Sequence, residues 1–149
     1  INAMPLWTYF QSVLRWAMDT FNIKKFKKIM KGLDWAKFYD EYHEKVLDIK
    51  EMEKQIIDLI GDDEIQKQQG IIPYVLTGDE HYLDLRAFPD KIKLAVWEKQ
   101  NHKCAICGKE FDYQFMEGDH ITPWRDGGRT EVKICQMLCK ECNRRKGSK

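Results

Sequence analysis

Cysteine is absent from the first 103 residues of this chain, and all five cysteines lie between positions 104 and 142. Disulfide-rich secreted scaffolds spread their cysteines through a short chain, so this distribution argues against that class. Long apolar runs are absent too, since no stretch approaches the roughly 18 apolar residues of a membrane span. The segment LWTYFQSVLRWAMDTF is amphipathic and carries acid, unlike a secretory signal. We therefore expect a cytoplasmic protein with no membrane partner.

A strong charge excess is also lacking. The 149 residues carry 25 Lys and Arg against 24 Asp and Glu, a formal net charge of +1. This small value conceals an uneven distribution, because positions 1–88 hold 12 basic and 15 acidic residues whereas positions 89–149 hold 13 and 9. A modest basic bias is compatible with a nucleic-acid partner but does not identify one.

The first part of the chain has the apolar periodicity of helices. Apolar side chains recur every three or four residues at Trp7, Phe10, Leu14, Ala17 and Phe21, which predicts a first helix. Asp34 and Asp48 stand where N-caps of two further helices are expected. Shorter helices are predicted around DDEIQKQQ and around IPYVLTG.

A domain boundary is predicted between positions 88 and 89. Positions 4–88 are expected to form a helical region with a docking or accessory role. Positions 89–149 open with DKIKLAVWEKQN, which has the pattern of one amphipathic helix, and then become rich in glycine and cysteine. The second part is therefore predicted to be a separate small domain.

Two Cys-x-x-Cys pairs dominate the second part, Cys104 with Cys107 and Cys139 with Cys142. This spacing lets two thiolates of one tight turn occupy adjacent corners of a tetrahedron, and two such turns complete a zinc site. Four thiolates leave no open position, which is typical of a structural zinc. The alternative is a redox pair or four buried thiols, but no thioredoxin-like pattern accompanies either pair. Cys135 is left over and is expected to be a small buried apolar residue.

After the first pair, the segment FMEGDHI has the pattern of a strand, TPWRDGGRT that of a loop and ICQMLC that of a second strand. The segment CNRRKGSK that follows can begin a helix. This order resembles the HNH (ββα-metal) endonuclease family over most of positions 100–149. The resemblance is carried by CAIC, EGDHITPWRDGG, CQMLCKECN and Lys146. It implies an α+β fold in which a helical N-terminal region precedes a small zinc-stabilised ββα-metal domain.

The helical lead-in carries a second resemblance. Its segments GIIPYVLTGD and LRAFPDK look like the C-terminal region of restriction-like proteins, in which a ParB-like nucleotide-using domain precedes an HNH nuclease. The chain would then be a fragment or a stand-alone relative. A nucleotide-using restriction subunit or domain is accordingly expected as a partner beside DNA.

The HNH resemblance implies a divalent-metal-dependent DNA endonuclease that acts in restriction or phage defence and leaves 5′-phosphate and 3′-hydroxyl ends. His120 would be the general base, and Asp119 and Asn143 would be ligands of a catalytic Mg²⁺ or Mn²⁺. The basic residues expected to contact backbone phosphates are Arg125, Arg129, Arg144, Arg145 and Lys146.

One position departs from the family pattern. Ile134 stands where the family has its middle asparagine, which braces the loop between the strands and helps to hold the histidine. Three outcomes are open for an enzyme: it is weakened, it uses another residue such as Gln136 or Thr130, or it is an altered version of an active one. The alternative is a non-catalytic zinc-stabilised nucleic-acid-binding module, and a protein–protein role of the helical half is compatible with either. In addition, Asp119 and His120 would point to opposite faces of a regular strand, so a shared site requires the strand to end or twist there.

Overall fold

The computed structural model describes residues 4–147 and confirms the expected α+β class. Within that range the chain forms seven α-helices and one two-stranded sheet. It divides into two compact units between Leu85 and Arg86. None of the described helices combines the length and the apolar character that a membrane span requires.

The N-terminal unit is helical. Its helices are α1 (Met4–Thr20), α2 (Ile23–Met30), α3 (Trp35–Tyr42), α4 (Ile49–Ile60) and α5 (Ile71–Thr77). Asp34 and Asp48 cap α3 and α4 as predicted, since each carboxylate accepts a backbone N–H three residues later. An N-cap at Asn22, which the sequence pattern did not predict, separates α1 from α2.

The helix predicted around DDEIQKQQ is not formed. Asp62 accepts a hydrogen bond from the backbone N–H of Glu64, and this local turn competes with helix formation. Ile65 then forms an isolated antiparallel bridge with Leu85, and only residues Gln68–Gly70 make one short 3₁₀ turn before α5.

Only part of the apolar set that indicated α1 is buried. The spacing correctly indicated a helix, but Trp7 and Phe10 remain 54% and 50% exposed. Ala17 and Phe21 of the same set are buried, together with Val13. Because α1 has apolar residues on more than one side, periodicity alone did not determine which side packs inward.

The C-terminal unit contains α6 (Asp90–Lys99), β1 (Met116–His120), β2 (Cys135–Cys139) and α7 (Lys140–Gly147). The strands are antiparallel, with Asp119 opposite Gln136 and His120 opposite Cys135. Helix α7 follows β2 directly, so it begins two residues before the predicted CNRRKGSK segment. The end of that segment and of the predicted domain, residues 148 and 149, lies outside the described residues.

The core of this unit lies between α6 and the sheet. Met137 and Leu138 are fully buried, and Phe88 and Val96 are almost as inaccessible. The Gln100 side chain donates to the carbonyl of Met137 at 3.0 Å and accepts from its N–H at 2.9 Å. These contacts fix β2 against the end of α6, and Phe88 anchors the segment that precedes α6.

Candidate functional site

The two Cys-x-x-Cys pairs meet in one cluster. The sulfur atoms of Cys104, Cys107, Cys139 and Cys142 all lie within 4.8 Å of one another. A tetrahedral zinc with Zn–S bonds of roughly 2.3 Å would separate its thiolates by about 3.8 Å, so only small shifts are needed. The predicted metal-binding arrangement is therefore confirmed, and four soft donors fit zinc.

Local backbone structure presents both pairs. The N–H of Gly108 donates to the carbonyl of Cys104, and Gly108 has a φ of +72°, in the left-handed region that favours glycine. In the second pair, Cys139 ends β2 and Cys142 lies in the first turn of α7. The N–H of Cys142 donates to the Cys139 sulfur at 3.4 Å. The cluster thus joins the turn after α6 to the junction of β2 and α7.

The thiols of the cluster ionise unequally. Burial opposes ionisation of Cys104, but hydrogen bonds from the backbone N–H groups of Cys107, Cys139 and Ile106 outweigh it and lower the pKa of Cys104 to about 6. The pKa of Cys142 is raised to about 12, first by its hydrogen bond with Cys139 and then by burial. Four such thiols lose their protons together only when a cation balances the charge, which fits a metal site.

Cys135 lies outside this cluster, as expected. It is 5% exposed, and burial followed by the charge of Asp119 raises its pKa to about 11. It therefore remains a neutral thiol and packs as a small apolar side chain in β2.

Asp119 and His120 occupy the last two positions of β1 and contact different elements. The Asp119 carboxylate pairs with the ammonium of Lys146 on α7 and accepts a hydrogen bond from Nε2 of Gln136 at 2.9 Å. The His120 ring lies instead against Phe88, with ring centroids 4.1 Å apart. The two side chains therefore leave β1 in different directions, and the strand ends at His120.

The side of β1 that faces α7 collects several polar groups. Glu117, two residues before Asp119, accepts a hydrogen bond from Nδ2 of Asn143. Lys146 donates to the carbonyl of His120 at 3.1 Å in addition to its pair with Asp119. Glu117 was not predicted as a site residue, although its two-residue spacing from Asp119 on a strand was a signal for a shared face.

An open groove of about 500 Å³ borders this polar face. It is lined by the first turns of α7 and by β1, through Glu117, Lys140, Glu141, Asn143 and Arg144. Carboxylate and amide oxygens therefore stand beside exposed basic groups in one accessible depression. This combination suits a phosphate ester together with a hard cation.

The His120 ring is held by two almost buried residues, Thr130 and Phe88. Nε2 of His120 lies 3.3 Å from the hydroxyl oxygen of Thr130, and that hydroxyl donates to the carbonyl of Arg86, also at 3.3 Å. Thr130 is 8% exposed and Phe88 is 5% exposed. Arg86 and Phe88 were not predicted as site residues, because the short LRAF segment has no spacing that relates it to the HNH-like motif.

Backbone contacts close the loop between the strands. The carbonyl of Ile134 accepts from the N–H of Ile121 at 2.7 Å, and the N–H of Ile134 donates to the carbonyl of Glu131 at 3.0 Å. A Cβ at Gly128 would lie only 1.7 Å from the carbonyl oxygen of Thr122, so the turn requires glycine there. Part of the bracing expected of an asparagine side chain is thus supplied by the main chain.

The basic residues expected to contact DNA occupy two segments. Arg125 and Arg129 lie exposed on the loop between the strands, and Arg144 and Arg145 lie exposed on α7. Arg145 pairs with Glu141 one helical turn earlier. Lys146 differs from the four arginines because it is partly buried on Asp119.

Comparison with known families adds one finding. The family model described as HNH endonuclease matches residues 104–149. This segment holds both cysteine pairs, the sheet and α7. No curated protein and no solved structure matches the chain.

Proposed function

We propose that the C-terminal unit is a divalent-metal-dependent DNA endonuclease that hydrolyses phosphodiester bonds. The observation that carries this proposal is the arrangement at the end of β1. The oxygen atoms of Asp119 and Asn143 lie on the side of β1 that faces α7, and His120, the last residue of the strand, is held by Thr130. The HNH endonuclease match over residues 104–149 agrees with this assignment.

Asp119 and Asn143 are the proposed ligands of the catalytic cation, and Glu117 lies within hydrogen-bonding distance of Asn143. These carboxylate and amide groups suit Mg²⁺ or Mn²⁺ rather than a soft metal. A bound divalent cation would neutralise the charge that develops on the phosphate during displacement. Lys146 holds the same Asp119 carboxylate, so the cation and the ammonium compete for it.

His120 is the proposed general base. Its imidazole removes a proton from water while the water oxygen forms a bond to phosphorus. The bond from phosphorus to the 3′ oxygen then breaks, and that oxygen takes up a proton from solvent. The products are a 5′-phosphate and a 3′-hydroxyl end.

The four-cysteine cluster has a structural role in this proposal. It leaves no open coordination position for substrate, and Cys142 immediately precedes Asn143 in α7. A zinc ion bound by these cysteines would therefore fix the first turn of α7 and, with it, the position of Asn143 beside Glu117.

Plasmid cleavage tests the proposal directly. The zinc-loaded protein is expected to nick supercoiled DNA when Mg²⁺ or Mn²⁺ is added and to be inactive when no such cation is added. Asp119→Asn is expected to lower the rate by on the order of 10²–10³, because it weakens several kcal/mol of metal-mediated charge stabilisation. Asp126→Asn, an equivalent change at an exposed loop position, should leave the rate unchanged.

The alternative is a non-catalytic module that binds nucleic acid. It predicts that the parent protein binds DNA without nicking it under either cation. If Ile134→Asn then produced nicking, Ile134 would be the residue that disables the site. Equal nicking by the parent and by Asp119→Asn would instead contradict the proposed metal ligand.

We expect the arginines of α7 and of the loop between the strands to bind DNA through backbone phosphates. Arg144→Gln should reduce the slope of log affinity against log salt concentration by about 0.9 if one phosphate contact is lost. Lys54→Gln makes the same charge change on α4 of the other unit and should leave the slope unchanged. Fluorescence anisotropy with a labelled duplex at several salt concentrations measures both variants. An unaltered slope in Arg144→Gln would remove Arg144 from the interface.

We further propose a role in restriction or phage defence in the cytoplasm, with a nucleotide-using subunit or domain as partner. This proposal rests on the resemblance of the helical lead-in, and the five unpaired cysteines agree with a reducing compartment. Phage plating on cells that carry the parent gene or its His120→Ala version tests it. Equal plating on the two strains, with confirmed expression, would argue against a defence role that depends on cleavage.

A further inference from the structure

We propose that Thr130, held by the main-chain carbonyl of Arg86, positions His120 in one tautomer, with the proton on Nε2 and the basic lone pair on Nδ1. The inference rests on the proposed nuclease function in one respect only, which is that Nδ1 acts as the general base. The tautomer itself can be measured in the absence of any activity.

The direction of each hydrogen bond follows from counting hydrogens. The Thr130 hydroxyl has one hydrogen, and the carbonyl of Arg86 can only accept. The 3.3 Å contact between them therefore uses the hydroxyl hydrogen. In the second 3.3 Å contact the Thr130 oxygen must accept, so Nε2 of His120 is the donor. A neutral imidazole with its proton on Nε2 has its lone pair on Nδ1.

Packing keeps the three groups in place. Phe88 lies against the imidazole with ring centroids 4.1 Å apart and an angle of 31° between the rings, and it offers no competing hydrogen-bonding group. Arg86 and Phe88 are two residues apart on the segment that leads into α6, so the carbonyl and the aromatic ring are fixed together. Phe88 and Thr130 are both less than 10% exposed, which limits access of water to this side of His120.

This arrangement explains how His120 can be positioned without the family's middle asparagine. Ile134 contributes main-chain hydrogen bonds that close the loop, and Thr130 on the same loop contributes the polar side chain. Thr130 is therefore a positioning residue, while His120 is the group that exchanges a proton. Ile134→Asn should consequently have little effect on the tautomer.

Nitrogen-15 NMR of the histidine rings tests the tautomer in the zinc-loaded chain without added divalent cation. At a pH about two units above the ordinary histidine pKa of roughly 6.5, the parent should show Nε2 of His120 protonated and Nδ1 unprotonated. His120→Gln identifies the signals among the four histidines of the chain. Thr130→Val, which removes the hydroxyl at nearly constant volume, should give a mixture of tautomers. Thr130→Ser should retain the parent tautomer.

Cleavage kinetics then connect the tautomer to the proposed reaction. Thr130→Val is expected to lower kcat about 10- to 100-fold, with little change in the KM for DNA, because a share of the general-base effect is lost. Thr130→Ser should restore most of kcat. Zinc content and amide dispersion confirm that both variants are folded.

Two results would overturn the inference. One is a parent spectrum with Nδ1 of His120 protonated, and the other is a Thr130→Val variant with the parent tautomer and the parent kcat. If no form of the protein cleaves DNA but the NMR result is as expected, the positioning holds and the nuclease proposal fails. If cleavage is normal and the tautomer is reversed, the nuclease proposal stands and the role of Thr130 is wrong.

Discussion

Replacing Cys139 with serine is expected to abolish zinc binding and to unfold the C-terminal unit. Cys139 ends β2 and brings one of the four clustered sulfur atoms. Structural zinc sites contribute on the order of 10–16 kcal/mol of apparent binding free energy, as much as or more than the roughly 5–15 kcal/mol that stabilises a typical domain. A unit this small, with a two-stranded sheet, has little else to replace that contribution.

The measurement combines metal content with hydrogen exchange. The parent should hold about one zinc per chain and protect the buried amides of Met137 and Leu138. Cys139→Ser should lose both, and a strong chelator should have the same effect on the parent. Cys135→Ala is the matched control, since this cysteine is buried in the same strand but lies outside the cluster. It should keep its zinc and lose only about 1 kcal/mol. Full protection in zinc-free Cys139→Ser would contradict a structural role of the metal.

The second large effect is expected at His120. His120→Ala should lower the rate of plasmid nicking by about 10²–10⁴, because a positioned general base contributes on that order. DNA binding should change little, since the proposed phosphate contacts are made by arginines on the loop and on α7. The loss should therefore be seen in kcat rather than in the KM for DNA.

The control for this variant is His81→Ala. The His81 side chain is 98% exposed in the N-terminal unit, so its removal should leave both binding and cleavage as in the parent. Activity that survives in His120→Ala would exclude His120 as the base or reveal a contaminating nuclease. The assay is repeated with His120→Ala and Asp119→Asn purified by the same procedure. A contaminating nuclease would be equally active in both preparations, which separates these two explanations.

The parts of this protein that were predicted from sequence are those whose information is local. A Cys-x-x-Cys turn is defined by four consecutive residues, and two such turns were enough to predict the metal cluster. The N-caps at Asp34 and Asp48 are equally local, because each carboxylate bonds to an N–H three residues away. The strands on either side of the loop were predicted from short apolar segments between turn residues.

What could not be predicted depends on contacts between distant positions. Thr130 and Arg86 are 44 residues apart, and no periodicity relates them. The ring of Phe88 meets His120 only because the segment before α6 packs on the sheet. Glu117 was closer to being predictable, since strand alternation places it on the same face as Asp119. It was missed because the resemblance gave no role to this position of the EGDHITPWRDGG segment.

The pair between Lys146 and Asp119 has a consequence for the order in which ligands bind. A bare carboxylate at this position would repel an approaching phosphate, but the ammonium already cancels that charge. We therefore expect DNA to bind about equally well before or after the divalent cation, so that neither has to arrive first. In a stopped-flow experiment, premixing the protein with DNA or with Mg²⁺ should then give similar first-turnover rates.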